Sequence, residues 1–82
     1  MAKLNKELQT NLKEINDIIF KMTEVDNNYI ISTNIHNEMI VVSINYFKYG
    51  KVEIGDSFFL LGFQDNEERI NVINEIKKTL GL

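Results

Sequence analysis

Residues 29–63, YIISTNIHNEMIVVSINYFKYGKVEIGDSFFLLGF, decide the fold of this chain. β-Branched and aromatic residues dominate the stretch, and its polarity alternates with the period of two that a half-buried strand requires. Tyr29, Ile31, Thr33 and Ile35 fall to one side, and Ile30, Ser32 and Asn34 to the other. Strands are expected over residues 29–35, 38–47 and 51–63. His36-Asn37 is read as the first two-residue turn although it lacks glycine, and Tyr49-Gly50 as the second. Gly55-Asp56 marks a bulge or kink in the third strand, or else a hairpin leading to a fourth.

Working outward, Leu4, Leu8, Leu12, Ile15, Ile19 and Met22 recur every three or four residues and line one face of a helix. Asn11 interrupts that stripe at a position where Leu4 and Ile18 are apolar, so the pattern suits packing on a sheet better than a coiled-coil seam. Glu24-Val25-Asp26-Asn27-Asn28 breaks the helix, because Asp and Asn side chains bond their own backbone and tolerate left-handed geometry. On the far side, Asp65-Asn66-Glu67-Glu68 predicts a helix start of capping-box type. Ile70, Ile73, Ile76 and Leu80 form its apolar stripe with Val72 at the margin, and Gly81 suits the residue after its end. The predicted fold is a single α+β domain over residues 1–82 in the order α-β-β-β-α. Its sheet is an antiparallel meander of three strands, or four if Gly55-Asp56 turns, with both helices on one face.

Two-residue turns fix a register in which Thr33 faces Ile40, Ile31 faces Val42, Tyr46 faces Glu53 and Ile40 faces Phe59. Together with Ile35, Leu61 and Phe63 these residues define the expected core face, with Gly55 opposite Ile44. Met39, Val41, Phe47, Val52, Ile54, Phe58 and Leu60 then share the opposite face with Ile30, diluted by Ser32, Asn34, Ser43, Asn45 and Asp56. Two helices cannot cover both sides of so small a sheet, so an apolar patch is expected on the surface, the usual mark of an interface. A bulge in the third strand would exchange the faces beyond it.

Composition narrows the function classes. The 82 residues are 44% hydrophobic and 26% charged, enough to fold around one modest core. There is no cysteine and one histidine, which removes disulfides, thiolate chemistry and the common zinc constellations. Net charge is −3, spread as +1 over residues 1–22, −3 over 23–63 and −1 over 64–82, so there is no basic footprint for duplex DNA. No apolar run reaches the ~20 residues of a membrane span, and a cytoplasmic setting is expected. Abundant Ile, Asn and Lys suggest AT-rich codons, hence a low-GC bacterial host or its phages.

Candidate chemistry is thin. His36, the lone imidazole, sits in a predicted turn with no evident nucleophile beside it. Glu53, Asp56, Asp65, Glu67 and Glu68 match no calcium loop and are explained by helix capping and a solvent-facing bend. Tyr46-Phe47-Lys48-Tyr49-Gly50-Lys51 mixes aromatics with two lysines as single-strand nucleic-acid binders do, though without the RNP1 order. No phosphate-binding glycine loop or serine elbow is present.

No catalytic, cofactor or metal site is therefore assigned. The expected function is non-enzymatic protein binding, either as a homodimer or as a phage or mobile-element accessory protein that inhibits a host protein. Its anchors would be Met39, Val41, Phe47, Val52, Ile54, Phe58 and Leu60. The alternative is single-stranded nucleic-acid binding through Tyr46, Lys48, Tyr49 and Lys51.

Overall fold

The computed structural model describes residues 5–25 and 28–82, with the backbone alone at residues 48 and 52–54. Leu4, expected to open the first helix, lies outside the described residues. Helix α1 (Lys6–Val25) starts where Asn5 Oδ1 accepts from the Leu8 N–H at 2.8 Å, an N-cap that satisfies one of the helix's orphan donors. Strands β1 (Tyr29–Ile35), β2 (Met39–Lys48) and β3 (Lys51–Leu61) follow, then helix α2 (Asn66–Thr79). The strands form one antiparallel sheet in the order β1-β2-β3, so the α-β-β-β-α meander has three strands.

Leu8, Ile15, Ile18 and Met22 of α1 meet Ile40, Val42, Ile44 and Leu60 of the sheet and Ile73, Ile76 and Leu80 in and just after α2. Each such side chain contributes about 1.5–3 kcal/mol on leaving water, and together they hold both helices on one face of the sheet. α2 ends as expected. Gly81 adopts φ 75°, its N–H donates to Lys78 O at 3.1 Å, and the Leu82 N–H donates to Lys77 O at 2.8 Å. This is the paired closure that a left-handed residue after a helix permits. At the other end of α2, Asp65 has extended geometry but makes no side-chain cap bond, so the expected capping box does not form.

Three expectations about pairing are corrected. The first turn is centred on Asn37-Glu38 rather than His36-Asn37: His36 N–H donates to Met39 O at 3.0 Å, and Asn37 takes φ 53°. Asparagine bears left-handed geometry far better than most residues. Moving the turn by one residue shifts the β1–β2 register by two, to Ile31↔Ile44 and Thr33↔Val42, which leaves every side chain on its expected face. The second turn is Tyr49-Gly50 as read, with φ of 54° and 76° and Lys48 opposite Lys51.

The third correction moves side chains between faces. Phe47 pairs with Val52 but Tyr46 pairs with Ile54, so β3 carries one extra residue at Glu53. A bulge of this kind inverts the alternation beyond it. Ile40 therefore pairs with Leu60 and Val42 with Phe58, not Ile40 with Phe59. Leu60 is fully buried and Phe58 packs against the same cluster, whereas Phe59 is 50% and Phe63 86% exposed. Gly55 sits opposite Asn45 rather than Ile44, inside a continuous strand with no fourth-strand turn.

Candidate interaction surface

The face of the sheet turned away from the helices is built from alternate residues of all three strands. β2 contributes Met39, Val41, Ser43, Asn45 and Phe47, while Ile30, Ser32 and Asn34 stand beside it on β1, and Gly55, Ser57, Phe59 and Leu61 on β3. Among the described residues no helix covers this side. Ile30 is 54% and Phe59 50% exposed, and Met39, Val41, Phe47 and Leu61 are half-buried.

Of the anchors expected from sequence, Met39, Val41 and Phe47 lie on this open face. Leu60 and Phe58 are corrected to the core side, because the bulge turns them toward the helices. Val52 and Ile54 are placed by backbone pairing alone, and their side chains lie outside the described residues. Phe59 and Leu61 replace Phe58 and Leu60. Because Phe58-Phe59-Leu60-Leu61 is apolar in both phases, alternation gives no sign of which pair faces out.

Polarity is organised along the face. Ser32, Ser43 and Ser57 form one row directly across the three strands. Met39, Val41, Phe59 and Leu61 gather on one side of that row, with Ile30 and Phe47 on the other. Among the described residues the face has no charged side chain, in a chain that is 26% charged.

The hairpin residues of the nucleic-acid reading are dispersed. The Tyr46 ring packs on Tyr29 with centroids 4.7 Å apart, half-buried on the core side. Tyr49 is 92% exposed in the turn, Lys51 is exposed beside it, and the Lys48 side chain lies outside the described residues. A stacking platform needs adjacent open rings along a basic track; here one ring is committed to its neighbour.

His36 is exposed, with Nε2 3.5 Å from Asn37 Nδ2. Among the described residues, no group of three or more His, Asp or Glu side chains is placed to hold a metal ion. A shallow groove of about 340 Å³ runs beside α1, lined by Glu14, Asp17, Ile18, Lys21, Lys77 and Leu82. Glu14 and Lys77 lie 3.6 Å apart across it. Its charges thus partly neutralise one another at the surface, where such pairs contribute little.

The feature sequence reading missed is Arg69, the only arginine, which is 2% exposed. Its Nε donates to Asn11 Oδ1 and its Nη1 to Leu61 O, both at 3.0 Å; Nη1 also donates to Gln64 O, and Nη2 to Glu7 Oε2 at 2.5 Å. These bonds tie α1, α2 and the end of β3 together, and they compensate a charge that would otherwise be costly to bury. The arginine serves the fold and faces away from the open sheet surface.

Compared with family models, curated proteins and solved structures, the chain matches none of them.

Proposed function

We propose that this protein is a non-enzymatic protein-interaction module that works through the open face of its sheet. One observation carries the reading: Ile30, Met39, Val41, Phe47, Phe59 and Leu61 share a face that no other element covers among the described residues. With strands about 4.8 Å apart and nine residues from Met39 to Phe47 on the middle strand, the face presents roughly 14 by 30 Å, and a solvent-facing sheet surface of that size normally carries charges. An uncharged, partly apolar face is instead suited to being covered. The absence of cysteine agrees with work in the cytoplasm. No helix among the described residues is long and apolar enough to cross a membrane.

A photo-reactive side chain at position 57 on the open face, compared with one at position 13 on the outside of α1, tests the reading in the cell that makes the protein. Ser57 and Lys13 are both exposed. A discrete adduct from position 57 alone is expected. No adduct, or the same products from both positions, would overturn it.

A further inference from the structure

We infer that the occupant of the open face is a second copy of this chain, packed sheet on sheet with Ser43 of each copy on the two-fold axis. This rests on the reading of the face as an interaction surface and names its partner.

Charge is the first argument. A partner recognised through acidic or basic groups would find no counter-ion on this face among the described residues, and burying its charges unpaired would oppose binding. A copy of the same neutral face brings none.

Symmetry is the second. Ser43 is the middle of the five open-face positions on β2, which is itself the middle strand, and Ser32 and Ser57 flank it. When two identical sheets stack, the dyad lies in the plane between them. Whether it runs along the strands or across them, a dyad through the centre returns Ser43 to Ser43 and the serine row to itself. A hydroxyl both donates and accepts, so a row of serines is its own complement, as a row of lysines or carboxylates is not. With the dyad along the strands, Met39, Val41 and Phe47 of each β2 also close over their own counterparts.

Size and layering are the third. Two faces of this footprint would remove on the order of 800 Å² from water, in the range of weak, transient interfaces. The resulting order of helix, sheet, sheet and helix, with sheets about 10 Å apart, buries both open faces at once. A weak, reversible dimer follows.

The test is sedimentation equilibrium on the full chain, on Ser43→Asp, on Ser43→Lys and on their equimolar mixture, with circular dichroism confirming the fold of each. The wild type should approach twice 9.6 kDa reversibly with concentration. Each charged variant should associate at least ~100-fold more weakly, because like charges meet on the axis, and the mixture should recover association. A monomeric wild type, single variants that dimerise like wild type, or a mixture no better than its components would each overturn the inference. Should either charged variant fail to fold, Ser43→Cys supplies the only thiol in a chain without cysteine. A short bismaleimide should join it to its twin at dilutions where Lys13→Cys is not joined, and equal joining of both would also overturn the inference. A position-57 photo-adduct with a different protein would sink the dimer and leave the interaction reading standing; no adduct would sink both.

Discussion

Arg69 donates from Nε to Asn11 Oδ1 at 3.0 Å, joining two helices whose bonded residues lie 58 positions apart in the chain. The guanidinium is 2% exposed, while its carboxylate partner Glu7 remains 60% exposed at the surface. The arginine is thus held mainly by neutral acceptors. Arg69→Ala would strand Asn11 and two carbonyls and is expected to cost about 3–5 kcal/mol. Arg69→Lys should fail to restore most of that, since an ammonium cannot reproduce the planar fork. Glu7→Gln should cost less than about 1 kcal/mol because the carboxylate is largely solvated. Urea denaturation of the three variants reads the order; an Arg69→Ala variant within about 1 kcal/mol of wild type would contradict it.

The bulge at Glu53 makes neighbouring residues of β3 unequal. Leu60→Ala opens a cavity beneath both helices and should cost about 2–5 kcal/mol. Phe59→Ala removes a half-exposed ring from the open face and should cost less than about 1 kcal/mol in the monomer. The opposite ranking in thermal or urea melts would restore the uninterrupted register and remove Phe59 from the interface.

Thr33 Oγ1 is a buried hydroxyl oxygen with no hydrogen-bond partner, on the core side opposite Val42. Thr33→Val keeps the branched shape that a strand favours and deletes the unsatisfied group. It should raise stability by about 1 kcal/mol. A loss of stability on calorimetry would mean that the hydroxyl is satisfied in solution.

Gly62 has no room for a side chain. A β-carbon there would lie 2.8 Å from Glu38 Cβ and 3.1 Å from Glu38 O, where Gly62 N–H donates to that oxygen at 2.8 Å. Gly62→Ala is expected to cost about 1–3 kcal/mol by forcing the β1–β2 turn away from the end of β3. Gly55→Ala should be milder, because its nearest neighbour at 3.2 Å is the terminal oxygen of the Asn45 side chain. Equal melting temperatures for the two variants would contradict this contrast.

The element order, the Tyr49-Gly50 turn and the core face of β1 and β2 were legible because local periodicity and turn chemistry specify them. β3 was not. Its run Phe58-Phe59-Leu60-Leu61 looks the same in either phase, and the extra residue that sets the phase, Glu53, carries no glycine signal. Gly55 drew attention to the neighbouring position instead. The α2 stripe was misread for a related reason. Ile70 is 40% exposed, since at 3.6 residues per turn it stands about 90° from the centre of the stripe formed by positions 69, 73, 76 and 80. The residue that does occupy the stripe is charged, and a hydrophobic pattern passes over it. Its signature was split between an arginine among lysines and Asn11 in the apolar stripe of α1, and only the folded chain brings the two together.

The most direct measurement of the central claim is the solution mass of the wild-type chain and of Val41→Glu, by light scattering over one dilution series with melting curves for both. Val41 is half-buried at the middle of the larger apolar group, opposite Phe59. The wild type is expected to rise from 9.6 kDa toward twice that mass with concentration, and the variant to stay at 9.6 kDa with its cooperative melt retained. Identical masses for the two at every concentration, or a Val41→Glu chain that no longer folds, would contradict it.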